Sequence, residues 1–221
     1  MSLINSVKEI SILFLSWFSG SILGFCLSGL ALLRKNKPIH TNGQIFTGIW
    51  SIQQSAGIQS KIFDQVQEEK IICRLSRSLS IGTQYDVMGI ALRFHYENSK
   101  NKIDLLFVTT GEGKISKYLP KFEKNMGKGT YTTILPMKYF NGKIWFRLKE
   151  VSEKIYSIAY RINGEDWIVI GELRIHPEPF IDQAIRFDPI SSLPDGLSLD
   201  PWVRALRAPS YRLSRKVIHL G

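Results

Sequence analysis

The chain has 221 residues, 44% of them apolar, with 12 Phe, 8 Tyr and 5 Trp, which is enough for one folded domain with its own core and too apolar for a disordered chain. Its 29 Lys and Arg against 19 Asp and Glu give a net charge of +10 and point to anionic partners. No zinc-finger or RNA-recognition signature accompanies that charge, so nucleic acid is not expected as a partner, and two cysteines, Cys26 and Cys73, exclude a disulfide framework and suit a reducing compartment.

Residues 10–33, ISILFLSWFSGSILGFCLSGLALL, carry no charge and are long enough to cross a bilayer as a helix, which takes about 20 apolar residues. The basic run RKNK follows at 34–37. A secretory signal places its positive charge before the apolar run, so this order predicts an uncleaved anchor with the remainder of the chain on the cytoplasmic side. A pair of buried helices broken near Gly20 or Gly24 is the alternative. The expected domains are 1–36, an N-terminal apolar helix attached to a membrane, and 37–221, the folded domain.

From residue 44 the pattern changes to that of strands. QIFTGIWSI, IDLLFVTT, TYTTILPMKYF, KIWFRLKEV, YSIAYRI and DWIVIGELRIH are rich in β-branched and aromatic residues, several with alternating polarity. Asn141-Gly142 and Asn163-Gly164 separate the last four and predict two-residue hairpin turns, because Gly accepts positive φ and Asn tolerates it. Four strands joined in this way form a meander, and with those upstream an antiparallel barrel is expected. The strand pattern ends after residue 177. Asp200-Pro201 then reads as an N-cap followed by Pro at the first helical position, opening a basic C-terminal helix that Pro209 should kink.

Several chemistries fail on inspection. NMGKGT lacks the glycine spacing of a phosphate-binding loop, and GEGKIS is half of a dinucleotide fingerprint without a following helix. The four histidines do not stand at zinc-site spacings, and no G-x-S-x-G element is present. Hydrolysis of a phosphoester therefore has no metal site to support it. His40, in KPIHTNGQIFTG, is positioned before a strand, where a histidine either hydrogen-bonds a turn or acts as a general acid and base near neutral pH.

Order and spacing together give His40 a context, because at this point the chain resembles the catalases. Their distal histidine stands in His-x-x-Gly-x(4)-Gly, matched by His40, Gly43 and Gly48, with Lys37 at the family's basic position three residues earlier. CRLS supplies Arg74 where the family has an Arg opening RFS. DVMGIALRF matches Asp-x-x-Gly-x-Ala-x-Lys-Phe through Asp86, Gly89, Ala91, Arg93 and Phe94. DLLFVT corresponds to the family's DLVGNN, GEL and FDP follow, and Arg207 and Tyr211 match the Arg-x-x-x-Tyr of the proximal helix. The six matches span residues 37–216 in one order.

This resemblance implies a mainly β, catalase-like antiparallel barrel with a C-terminal proximal helix, binding haem b. It implies Tyr211 as the axial iron ligand and Arg207 as the cation that favours its ionised form, since a free Tyr with pKa of about 10 stays protonated at neutral pH. His40 would move a proton between peroxide oxygens. Lys37, Arg74 and Arg215 become candidates for the haem propionates. Thr109, or Thr110 if the register slips by one, stands where the family has a peroxide-orienting Asn, which argues against fast dismutation of hydrogen peroxide. The expected activity is that of a peroxidase or a (lipid) hydroperoxide-transforming oxidoreductase with weak catalase activity, as in relatives that isomerise lipid hydroperoxides. The alternative is a non-catalytic barrel binding haem or a lipid-like ligand at a membrane.

Overall fold

The computed structural model describes residues 42–78, 84–95, 102–113, 116, 119–140, 142–180, 185, 187–201, 203 and 204. One compact unit runs from Asn42 to Ser198, and Leu199 onward belongs to a second. Among the described residues there are ten strands: β1 Asn42–Ile52, β2 Glu68–Arg77, β3 Asp86–His95, β4 Lys102–Thr109, β5 Phe122–Glu123, β6 Thr130–Thr132, β7 Met137–Tyr139, β8 Gly142–Ser152, β9 Ile155–Ile162 and β10 Ile168–Phe180, with a four-residue helix, α1 Lys61–Asp64, between β1 and β2.

The order β2-β1-β10-β9-β8-β6-β4-β3 returns on itself because β3 also pairs with β2. Every pairing is antiparallel. Eight strands therefore close into a barrel, which removes the exposed edges an open sheet would have to protect. β5 lies on β3 and β7 on β8, outside the ring.

Alternation sends one set of side chains inward. Trp50 of β1, Phe94 of β3 and Phe146 of β8 are at most 1% exposed, and Phe63 of α1 enters the same cluster. Trp50 meets Phe94 edge to face at 5.2 Å, while Phe63 stacks on Phe146 at 4.0 Å. The Trp50 indole Nε1 donates to the Ile62 carbonyl at 2.8 Å, so α1 is fastened to β1 by its backbone as well as by its rings. A glycine is required where β1 and β10 press together: a Cβ on Gly171 would stand 2.1 Å from the Ser51 carbonyl oxygen.

The structure agrees with the expected antiparallel barrel and alters several details. β2 and β3 are absent from the segments that composition singles out, because in β3 the outward positions are Gly89 and Ala91, which carry little β preference. TYTTILPMKYF divides into β6 and β7, with Ile134 at φ 50° ahead of Pro136. Tyr139 pairs with Gly142, so Gly142 already belongs to the β7–β8 ladder and not to the turn that Asn141-Gly142 suggests. The second turn is as expected, with Asn163 and Gly164 at φ 49° and 88° and Glu165 N–H donating to the Ile162 carbonyl. β10 continues past residue 177 to Phe180, with Pro177 where the register with β1 shifts and Pro179 opposite Phe46.

Among the described residues there is almost no helix. Arg204 N–H donates to the Asp200 carbonyl at 3.0 Å, one turn where Asp200-Pro201 predicts a helix to begin, but the expected proximal helix from residue 205 lies outside the described residues. So do residues 10–33. Among the described residues no helix is long and apolar enough to cross a membrane.

Candidate functional site

The outer face of β1 to β4 is where most of the matched sequence lies. Register places its side chains in three rows across the strands: Gly43, Ser76, Gly89 and Val108; then Ile45, Arg74, Ala91 and Leu106; then Thr47, Ile72, Arg93 and Asp104. The first two rows are small or apolar except for Arg74, and Ile45, Ser76 and Ala91 are 3%, 4% and 6% exposed. The Arg74 guanidinium lies flat over β1. A Cβ on Gly43 would stand 2.7 Å from both its Cζ and Nη2, so only glycine allows the side chain to lie there.

The third row is a latch. Arg93 Nε and Nη2 donate to the two Asp104 oxygens, each at 2.7 Å, with Arg93 8% and Asp104 0% exposed. The Asp188 amide donates to Asp104 Oδ2 at 2.6 Å, the Asp104 amide donates to the Ser192 carbonyl, and the Phe187 ring lies 4.9 Å from Arg93 Cζ. Three sequence matches far apart in the chain, at Arg93, Asp104 and Phe187-Asp188, thus converge on one contact that holds the segment after β10 against the barrel. Nothing local in the sequence announces this. Its only signal is that one outward position carries a cation and the facing one a carboxylate.

Thr109 and Arg74 do not share a face. Thr109 alternates with Leu105 and Phe107 toward the interior and pairs with Tyr131, and its hydroxyl donates to the Lys121 carbonyl at 2.6 Å and accepts from the Met88 amide at 3.1 Å. Thr110 follows on the outer side, 2% exposed, with its hydroxyl 3.2 Å from that of Thr132. Of the predicted site residues, only Arg74 is described on the outer face. His40, Lys37, Arg207, Tyr211 and Arg215 lie outside the described residues.

Two described tyrosines serve structure. Tyr131 accepts from the Gly127 amide at 3.0 Å and Tyr156 donates to the Gly127 carbonyl at 2.8 Å. Burial pushes both phenols well above their usual range, the opposite of what an ionised ligand needs. Burial likewise raises the Cys73 thiol and leaves it inert. Among the described residues no group of three or more His, Cys, Asp or Glu could hold a metal ion.

The comparisons with known proteins follow the geometry. No protein-family model and no curated sequence matches the chain. Solved structures do: a bacterial catalase, with a TM-score of 0.58 and 14% identity, over 86% of this chain, and a fungal catalase, with a TM-score of 0.58 and 12% identity, over 83%. The barrel therefore has a catalase-like fold. The chain spans 59% and 60% of the lengths of those two catalases.

The outer face suits a haem in its chemistry. Its first two rows are small or apolar, as a flat apolar ring requires, and Arg74 between Ile45 and Ala91 is a cation that can pair with a carboxylate. The residues that would ligate iron are not among those described.

Proposed function

We propose that this chain binds haem b on the outer face of β1 to β4 and acts as a peroxidase or transforms organic, including lipid, hydroperoxides, with weak catalase activity. The observation that carries the reading is the row Ile45, Arg74, Ala91 and Leu106, an apolar strip with one cation, on a barrel of catalase-like fold. In this reading Arg74, with Lys37 and Arg215, pairs with the propionates, and Gly43 keeps Arg74 flat against the strand. Tyr211 would ligate iron as its phenolate, favoured by the Arg207 cation four residues earlier in the chain. A haem so ligated supplies the electrons that cleave a peroxide bond. His40 holds the proton that leaves one peroxide oxygen and returns it to the other. Residues 10–33 would keep the barrel at the cytoplasmic side of a membrane, within reach of lipid hydroperoxides, and resistance to carbonate extraction tests that attachment.

The decisive experiment is the absorption spectrum of haem-reconstituted protein. A ferric tyrosinate spectrum is expected, lost in Tyr211→Phe; an unchanged spectrum in that variant rejects the ligand assignment. His40→Ala should keep haem and slow the reaction with peroxide.

A second reading, a barrel that binds haem or a lipid-like ligand without turnover, is favoured by Thr109. Its hydroxyl is committed to backbone groups on the interior side, so Thr109 itself offers no donor to the outer face, where the Thr110 hydroxyl lies beside that of Thr132. Haem binding without any spectral change on mixing with peroxide selects this reading.

A further inference from the structure

Farther round the ring, the outer face of β8 and β9 carries a ladder of cations and indoles. Trp145 stands opposite Arg161 and Arg147 opposite Ala159. Trp167, just ahead of β10, lies over both arginines, with its centroid 4.7 Å from Arg147 Cζ and 4.5 Å from Arg161 Cζ. The Trp145 ring is 5.3 Å from Arg161 Cζ. Such contacts order the side chains and hold the guanidiniums in fixed planes.

Arg147 Nε is buried with no hydrogen-bond partner, as is Arg161 Nε. Glu112, whose charge reaches Arg147, is committed elsewhere: its Oε1 accepts from Thr130 Oγ1 at 2.6 Å and lies 3.1 Å from Lys149 Nζ. Those two hydrogen bonds hold the Glu112 carboxyl below its usual range, so it is charged and occupied. Burial, opposed by Glu112 and aided by Arg161, pulls Arg147 below the usual guanidinium range. Among the described residues, Glu112 is the carboxylate whose charge acts on Arg147, and Lys149 shares it. A half-buried cation with an unsatisfied donor is costly unless an anion completes it.

We propose that Arg147 anchors an oxyanion subsite on the β8–β9 outer face, which accepts the phosphate or carboxylate group of a small ligand through its guanidinium. The planar fork pairs with two oxygens of such a group, Trp167 fixes the plane of the fork, and Arg161 and Lys149 add attraction at longer range. The subsite is independent of the haem reading, since it uses none of the residues assigned to that group.

The test is thermal unfolding and calorimetric titration of the full chain with inorganic phosphate and with acetate, against chloride at equal ionic strength. Saturable stabilisation by phosphate, acetate or both is expected, and the pattern names the group that the subsite takes. Arg147→Gln should weaken the response at least about tenfold, the weight of one charge-assisted hydrogen bond. Arg147→Lys keeps a cation over Trp167 but lacks the fork, and gives the same comparison if the Gln variant does not fold. An equal response in both variants, or no saturable response in the parent, overturns the proposal. A ladder that only stabilises the fold would lower the melting temperature of the variants without changing their dependence on anion.

Discussion

Asp104→Asn keeps the shape of a fully buried side chain and removes its charge. In the parent its oxygens accept twice from Arg93, each at 2.7 Å, and once from the Asp188 amide at 2.6 Å. The variant withdraws the charge that balances a cation only 8% exposed. Breaking one side of a buried ion pair costs about 3–5 kcal/mol, against a total stability of roughly 5–15 kcal/mol for a domain. For a chain of this length each kcal/mol moves the melting temperature by about 2–4 °C, so a fall of roughly 6–20 °C is expected in a thermal melt, with a matching drop in urea midpoint. The double variant Arg93→Met with Asp104→Leu removes both charges and should recover most of that loss, because an apolar pair often replaces a buried ion pair at little cost. What remains is the lost acceptor of the Asp188 amide, about 1 kcal/mol, visible as faster hydrogen exchange at Asp188 in the double variant, whereas the Asn carbonyl oxygen of the single variant can still accept from that amide. A cost below about 1 kcal/mol for Asp104→Asn, or a double variant as unstable as the single, would falsify the latch.

Both Glu69 carboxylate oxygens are buried without a hydrogen-bond partner, and burial raises its pKa, partly offset by the Lys61 charge. The folded state then holds this proton more tightly than the unfolded chain, so its contribution is favourable below the unfolded carboxyl value of about 4.3 and is lost as pH rises through the folded value. Glu69→Gln should therefore stabilise the protein at pH 7 by roughly 1 kcal/mol, with the gain vanishing near pH 4; equal gains in urea titrations at both pH values would rule this out. Gly171→Ala drives a methyl group against the Ser51 carbonyl and should cost about 1–3 kcal/mol or more by parting β1 from β10, and a urea midpoint equal to the parent's would show that the strands yield freely.

Alternating β-branched and aromatic residues were sufficient to read β1, β4, β8, β9 and β10 and a closed antiparallel barrel, because a pleated strand repeats every two residues whatever surrounds it. Asn163-Gly164 was legible for a similar reason, since positive φ at both central positions is a local demand. The candidate site was only partly legible. Arg74 was found from its motif, yet the glycine that lets it lie flat acts across β1 and β2, outside any local window. Thr109 and Thr110 differ by one position in sequence and by a whole barrel wall in space, because a shift of one residue reverses the face. Arg93, Asp104 and Asp188 are separated by up to 95 positions, and the acceptor that Arg147 Nε lacks is a property of the residues folded around it. Local periodicity thus determined which segments are strands, while closure of the barrel decided which side chains meet, because pairing partners and burial are set by residues distant in the chain.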